Sequence, residues 1–442
     1  MACKVGMVSL GCPKNQMDAE LMLAKLKQAG YTLTAEAGLA DVVIVNTCGF
    51  IEDAKKESIE QILEFAQLKK EGRIRRIIVT GCLAERYQKE LADELPECDG
   101  VLGLGGNGDI VQAVETVMEG APVVRFPDKG CWPLDGDRVQ TTPEFFAYLR
   151  VGDGCSNRCA YCAIPSIRGP LRSREMDALV QEARGLAASG VKELVLVAQD
   201  TTLYGVDRDG KKHLPELLDR LCEIEGLRWI RLLYCYPEHI TDELLDTMAR
   251  QPKVLPYMDI PIQHADGGVL SAMNRPGDEA SLRGLISRIR QKVPGIVLRT
   301  TVMVGFPGET PQQFERLCTF VRDMRFERLG CFAFSPEEGT PAATMPGQIP
   351  QEEKQRRRDI IMEEQALVAA RYNESQIGRT LEVLVESYDR YAGCWFGRSA
   401  ADAPDIDGKV FFTAQRGTVQ PGDMVRVEIT GAMDWDLMGD LL

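Results

Sequence analysis

Cys155, Cys159 and Cys162 place three thiols within one short run, with no fourth cysteine beside them. Three thiolates hold three irons of a four-iron cluster and leave the fourth iron open to a ligand from outside the chain. An open iron means chemistry rather than electron storage alone. The competing explanations are a zinc knuckle and a set of buried thiols. Structural zinc takes four ligands, and neither a histidine nor a further cysteine stands near the run.

A second set lies upstream. Cys12 follows the apolar run 5–10 and precedes a helical pattern over 17–29. Cys48 follows the run 42–47 and precedes 52–67, and Cys82 follows 77–81 and precedes 84–91. Three times a strand-like segment ends in a cysteine and turns into a helix. In an open parallel sheet the carboxyl ends of the strands share one edge, where ligands bind, so the three thiols are expected to converge there. Small cysteines at strand ends can also simply pack. The other eight, Cys3, Cys98, Cys131, Cys222, Cys235, Cys318, Cys331 and Cys394, form no ligand-like pattern.

The elements that must position these thiols follow from the periodicity. A stretch rich in Gly, Pro and Asp, residues 120–142, reads as a linker. Beyond it come six strand candidates, at 146–151, 193–198, 229–235, 257–262, 296–304 and 329–335, separated by helical patterns. Repeated βα units make a parallel barrel or doubly wound sheet, and six strands fall short of the eight of a closed barrel, so an incomplete, laterally open one is expected. Its active face is the carboxyl end of the strands, which puts the Cys155 loop after the first of them. Residues 351–376 read as one charged amphipathic helix, with Ile360, Ile361, Leu367 and Val368 as its apolar stripe and Arg356, Arg357 and Arg358 on a solvated face. Past 378, five short strands between Gly and Pro turns suggest a small β-barrel of the oligonucleotide-binding type.

Composition narrows the partners. The 442 residues exceed what one core accommodates, so two or three domains are expected. The first residues show no export signal, and no apolar stretch is long enough to span a membrane. Fourteen cysteines without an export signal read as reduced thiols and metal ligands of a cytoplasmic protein. A net charge of −14 argues against nonspecific nucleic-acid binding. Residues 378–442 hold six Lys and Arg against eleven Asp and Glu, a net of −5 that would repel phosphate and attract a basic protein.

The Cys155, Cys159, Cys162 triple resembles the cluster motif of the radical S-adenosylmethionine enzymes. Joined to an upstream domain bearing Cys12, Cys48 and Cys82 and to a terminal β-barrel, it resembles the methylthiotransferases. The segments 257–265, 274–277, 301–310 and 329–339 are similar to the branch acting on protein twelve of the small ribosomal subunit. The resemblance implies an α/β multidomain chain: an N-terminal domain over 1–119, a linker over 120–141, a radical core over 142–373 and a TRAM-like barrel over 374–442. It implies two four-iron clusters, one on each cysteine triple, and two molecules of S-adenosylmethionine, one giving a methyl group and one a deoxyadenosyl radical. The product would be a methylthio group on the β-carbon of an aspartate of protein twelve, free or in the subunit, with a reducing partner such as a flavodoxin. The same chemistry on transfer RNA is the alternative, and a noncatalytic iron–sulfur sensor the second.

Outside the cysteines, the resemblance suggests that the 305–309 turn lies near the S-adenosylmethionine site, and position adds Gln199 and Asp200 as candidates to reach it. Gly305 and Glu309, after the fifth barrel strand, and Gln199 and Asp200, after the second, fall at the active edge. A plain strand-to-helix turn capped by Thr310 explains the first pair as well. Of the histidines, His213, His239 and His264, none forms a metal pair, and His264 is the best placed to line a site. The glycine-rich run 103–108 lacks the spacing of a dinucleotide loop.

Overall fold

Val42–Thr47 and Arg76–Gly81 are near-continuous apolar runs of β-branched residues, the pattern of strands buried on both faces. In the computed structural model, which describes residues 3–414 and 417–442, they lie at the centre of a six-stranded sheet. Its strands are β1 (Lys4–Ser9), β2 (Thr32–Thr34), β3 (Val42–Thr47), β4 (Arg76–Gly81), β5 (Gly100–Leu102) and β6 (Val123–Arg125), all parallel, in the order β2-β1-β3-β4-β5-β6. Alternate residues serve opposite cores. Val42 and Ile44 pack with the helices Pro13–Gln28 and Ile110–Met118, and Val43 and Val45 with Glu52–Lys70 and Cys82–Glu94.

The stretch 120–141, expected as a linker, is partly built in. Val123–Arg125 adds the edge strand β6, and Trp132 is buried, its Nε1 donating to Asp18 Oδ1 at 3.0 Å. Prolines broke the periodicity, but two valines suffice for an edge strand and one indole anchors the chain beyond it.

The chain forms two compact bodies. The first comprises Met1–Thr141, Gly152–Arg174 and Ser335–Ala343, and the second Thr142–Val151, Glu175–Phe334 and Thr344–Leu442. The second contains six parallel strands paired in sequence order: Phe146–Arg150, Glu193–Val197, Trp229–Leu232, Val254–Asp259, Val297–Val304 and Arg328–Ala333. The first and last strands do not pair among the described residues, so the barrel is open, and its interior and flanking helices share one apolar core. Thr380–Asp389, Cys394–Ser399, Val410–Thr413, Met424–Met433 and Asp436–Leu441 close into a separate five-stranded barrel.

A buried layer of charge joins that small barrel to the amino ends of the six strands. Arg398 pairs with Glu193 at 2.7 Å and donates to Glu386 Oε1 at 2.6 Å, while Arg231 donates to the other oxygen of Glu193 at 2.7 Å. Arg328 reaches Asp402 at 2.7 Å, and Tyr257 Oη donates to Asp407 at 2.6 Å. Burial alone would raise the Glu193 carboxyl, but Arg398 and Arg231 hold it below the usual carboxylate range. Breaking a buried pair leaves a charge without compensation. Arg398→Met is expected to lower stability by about 3 kcal/mol, and pairing it with Glu193→Gln to recover part of that loss, as read from the midpoint of urea unfolding.

Candidate functional site

β1, β3 and β4 are neighbours in the sheet, so the residues that leave their carboxyl ends meet. Cys12, Cys48 and Cys82 are those residues, close enough to interact: Cys12 acts on Cys48, and both act on Cys82. Glycine makes the approach feasible at two points. Gly11 has φ +90°, and a Cβ there would stand 2.9 Å from Cys48 Sγ. Gly81 has φ +96°, and its Cβ would meet the Thr47 carbonyl at 2.5 Å. No other residue type fits either position without moving a strand end.

Asn15, buried on the first turn after Cys12, ties these ends together. Its Nδ2 donates to the carbonyls of Leu10 at 2.8 Å, Thr47 at 3.2 Å and Asn46 at 3.3 Å, and Asn46 Nδ2 donates back to Asn15 O at 2.7 Å. Ser58 fixes Cys48 from the next helix, accepting from Cys48 N and donating to Cys48 O, both at 3.0 Å.

The loop bearing Cys155, Cys159 and Cys162 belongs to the same compact body. A two-strand ladder closes its base, Gly152–Asp153 against Arg172–Ser173, and Cys155 N donates to Gly169 O at 3.0 Å. Ala160 O accepts from Ala342 N at 2.9 Å, fixing the middle of the loop. Beyond Cys162, Ala163 and Ile167 pack against Cys82 and Leu104. The two trios are therefore elements of one packed assembly.

Arg168 follows the downstream trio in the chain and reaches back to the upstream one. Its guanidinium is 1% exposed and donates to Asp153 Oδ1 at 3.0 Å, Asp18 Oδ2 at 2.9 Å, Asn15 Oδ1 at 3.3 Å and Cys82 Sγ at 3.4 Å. Burial works against its charge, but Asp153, Cys82, Asp18 and Cys12 more than offset that and hold it protonated. The thiols respond unequally. Burial pushes Cys82 up to about 12 against the opposing pull of Arg168, and burial likewise raises Cys48. At Cys12 burial is overcome by Lys14, Arg168 and the backbone N–H groups of Asn15 and Lys14, so this thiol ionises below its usual range. In the downstream trio, burial raises Cys162 to about 12, with Cys159 and Cys155 adding to it.

Among the described residues no three His, Cys, Asp or Glu side chains gather as ligands of a single metal ion. A lone zinc at about 2.3 Å from each sulfur would draw thiolates to about 3.8 Å of one another, whereas an iron–sulfur cage is ligated at its corners.

The four residues expected near S-adenosylmethionine lie in the second body and form two groups. Glu309 is a buried hub: its Oε2 accepts from Gly305 N and pairs with Arg357 at 3.2 Å, and His264 Nε2 stands 3.5 Å from its Oε1. Asp266 N donates to His264 Nδ1 at 2.9 Å, so the ring proton of the neutral imidazole sits on Nε2, facing the carboxylate. Asp200 accepts from Thr202 N at 3.1 Å and pairs with His239 at 2.9 Å, while Gln199 is half-buried at the strand end. Thr310 does cap the following helix, within a reciprocal box with Gln313.

The chain is 50% identical over 443 residues to the ribosomal protein uS12 methylthiotransferase RimO of Pelotomaculum thermopropionicum, a match that covers 100% of this chain and 99% of that one. This chain belongs to the RimO family. Its Desulforamulus reducens relative of the same name is 47% identical over 440 residues, covering 99% of each chain. Within this RimO-family chain, residues 4–103 match the uncharacterized protein family UPF0004, 149–321 the radical SAM superfamily and 377–442 the TRAM domain. Among solved structures, the radical S-adenosylmethionine methyltransferase TsrM of Kitasatospora setae shares the fold, with TM-score 0.55 at 14% identity over 86% of this chain and 81% of that one. A radical SAM domain brings a four-iron cluster and S-adenosylmethionine. No helix of this RimO-family chain, among the described residues, is long and apolar enough to cross a membrane.

Asn15 and Arg168 were absent from the sequence-based site. The available signal was a polar residue on the short helical stretch after a cysteine, Asn15 on a first turn and Arg168 on a last one, which periodicity alone assigns to solvent. Asn15→Ala in this RimO-family chain orphans buried carbonyls at the ends of two strands. It is expected to cost about 2 kcal/mol of stability, measured by chemical denaturation of the cluster-free protein.

Proposed function

We propose that this chain is a radical S-adenosylmethionine methylthiotransferase that adds a methylthio group to the β-carbon of an aspartate in ribosomal protein uS12. The observation that carries the reading is the pairing of two three-thiol sets within one compact body, in a chain alike over its full length to the uS12 methylthiotransferases. Cys155, Cys159 and Cys162 would hold the cluster that binds S-adenosylmethionine, and Cys12, Cys48 and Cys82 an auxiliary four-iron cluster. The donor sets fit: each supplies three thiols, and Gly11 leaves room beside Cys48 that a Cβ would fill. When bound, these groups supply a low-potential electron, a deoxyadenosyl radical able to take hydrogen from an unactivated carbon, and the sulfur to be transferred.

The chain's own residues do the rest. Asn15 and Ser58 fix the ends of β1 and β3, so Cys12 and Cys48 keep their mutual positions. Gly305 and Glu309, with Gln199 and Asp200, are proposed to line the S-adenosylmethionine site. There Arg357 holds the Glu309 carboxylate, which His264 faces at 3.5 Å and which fixes the 305–309 turn through Gly305 N. We assign 1–119 to the auxiliary-cluster domain, 142–373 to the radical core and 374–442 to the TRAM-like barrel. A flavodoxin-class protein is the proposed electron donor, and the cytoplasm, where ribosomes assemble, the proposed location.

Intact-mass analysis of small-subunit ribosomal proteins from cells with and without the chain tests this. A single methylthio gain on uS12 that depends on the chain is expected. An unchanged uS12, with loss of a methylthio nucleoside from transfer RNA, would move the substrate to RNA, and loss of neither would leave a noncatalytic iron–sulfur protein. In purified protein, Cys159→Ala should abolish reductive cleavage of S-adenosylmethionine to deoxyadenosine. Cys82→Ala should retain that cleavage and lose methylthio transfer, both followed by chromatography of the products.

A further inference from the structure

Arg168 follows the downstream trio in the chain yet donates a hydrogen bond to a sulfur of the upstream one, Cys82 Sγ at 3.4 Å. Its surroundings are buried throughout: Asp18 is 0%, Asn15 1% and Asp153 2% exposed. The same nitrogen, Nη2, meets Asp18 Oδ2 at 2.9 Å and Asn15 Oδ1 at 3.3 Å as well as the sulfur. Two N–H bonds thus serve three acceptors, and Asp18 competes directly with Cys82 for them. The other arm, Nη1, is held by Asp153 at 3.0 Å, which fixes the plane of the guanidinium.

Resting on the reading that Cys12, Cys48 and Cys82 hold an iron–sulfur cluster, we propose that Arg168 is a positioning residue that tunes this cluster, raising its reduction potential through its charge and its N–H···S bond to Cys82. Reduction adds an electron to the cage, and part of that charge resides on the ligand sulfurs. A donor N–H and a fixed positive charge at one sulfur therefore stabilise the reduced state more than the oxidised one. Burial keeps water from screening the effect. Asp18 acts in the opposite sense, by drawing the shared N–H away and adding negative charge to the pocket. The cluster's readiness to accept an electron is thus set by a residue from the downstream loop.

The test isolates the upstream cluster in the full chain by replacing Cys155, Cys159 and Cys162 with Ala. The protein is then reconstituted anaerobically, and the cluster is titrated against potential by electron paramagnetic resonance. At a fixed potential, Arg168→Gln should lower the ratio of reduced to oxidised cluster about tenfold, which is 59 mV for a one-electron couple. Arg168→Lys, which keeps the charge, should stay within roughly threefold of the parent, and Asp18→Asn should raise the ratio by roughly threefold. A ratio unchanged in Arg168→Gln at equal iron content overturns the proposal, as does Arg168→Lys losing as much as Arg168→Gln. If Arg168→Gln fails to hold iron, Asp18→Asn decides: an upward shift supports the tuning role, and no shift or a downward one overturns it. A parent that binds no iron upstream would instead remove the auxiliary cluster itself, an outcome distinct from an unmoved potential.

Discussion

A fully buried guanidinium is the constraint around which the first body is organised. Removing Arg168 from water costs several kcal/mol unless its charge is met, and Asp18 and Asp153 meet it from two different stretches of chain. Each carboxylate would be equally costly alone. The three groups are stable only together, so the helix after Cys12, the ladder below Cys155 and the helix after Cys162 must occupy fixed positions at once. The thiols inherit that order: Arg168, so held, joins Lys14 in lowering Cys12 and donates to Cys82.

Much of this was legible in the sequence, and the reasons differ by element. β3 and β4 each hold a continuous run of Val and Ile, so their burial on both faces could be read directly, and with it the convergence of Cys12, Cys48 and Cys82 on one edge. The six barrel strands stood out by their alternation with helical patterns, and the five terminal ones by the Gly and Pro turns between them. The helix Gln351–Glu374 shows where pattern reading fails. Its buried stripe is Lys354, Arg357, Ile361, Gln365, Ala369 and Asn373, while Leu367, expected in the apolar stripe, is 59% exposed. The polar members are buried because each finds a fixed partner: Lys354 donates to Phe334 O at 3.0 Å, Gln365 to Phe326 O at 3.0 Å and Asn373 to Asp434 O at 2.9 Å. Hydrophobicity carries no information about such carbonyls, so a face chosen by hydrogen bonding cannot be found from it.

Charge counting met a similar limit in the terminal barrel. Its net of −5 suggested a surface complementary to a basic protein. Part of that charge is turned inward, since the buried carboxylates of Asp402 and Asp407 meet Arg328 at 2.7 Å and Arg299 at 3.6 Å. These carboxylates fasten the barrel to the sheet. What remains for a partner is the smaller set outside that layer, so the whole-domain sum overstates the field outside it.

The first body is assembled from three separated stretches of chain, and the short third one, Ser335–Ala343, contributes the buried Glu337 that accepts from Arg86 at 3.0 Å and from Glu52 N at 3.0 Å. Its modularity in sequence is therefore not modularity in folding. A fragment ending near residue 141 would carry every upstream cysteine but leave Asp18 without Arg168 and Arg86 without Glu337. Recombination between relatives that exchanges the N-terminal segment alone would split both partnerships across two ancestries. The upstream thiols are thereby held in place by two distant loops, and the structural unit that bears them is a set of three segments rather than the N-terminal stretch alone.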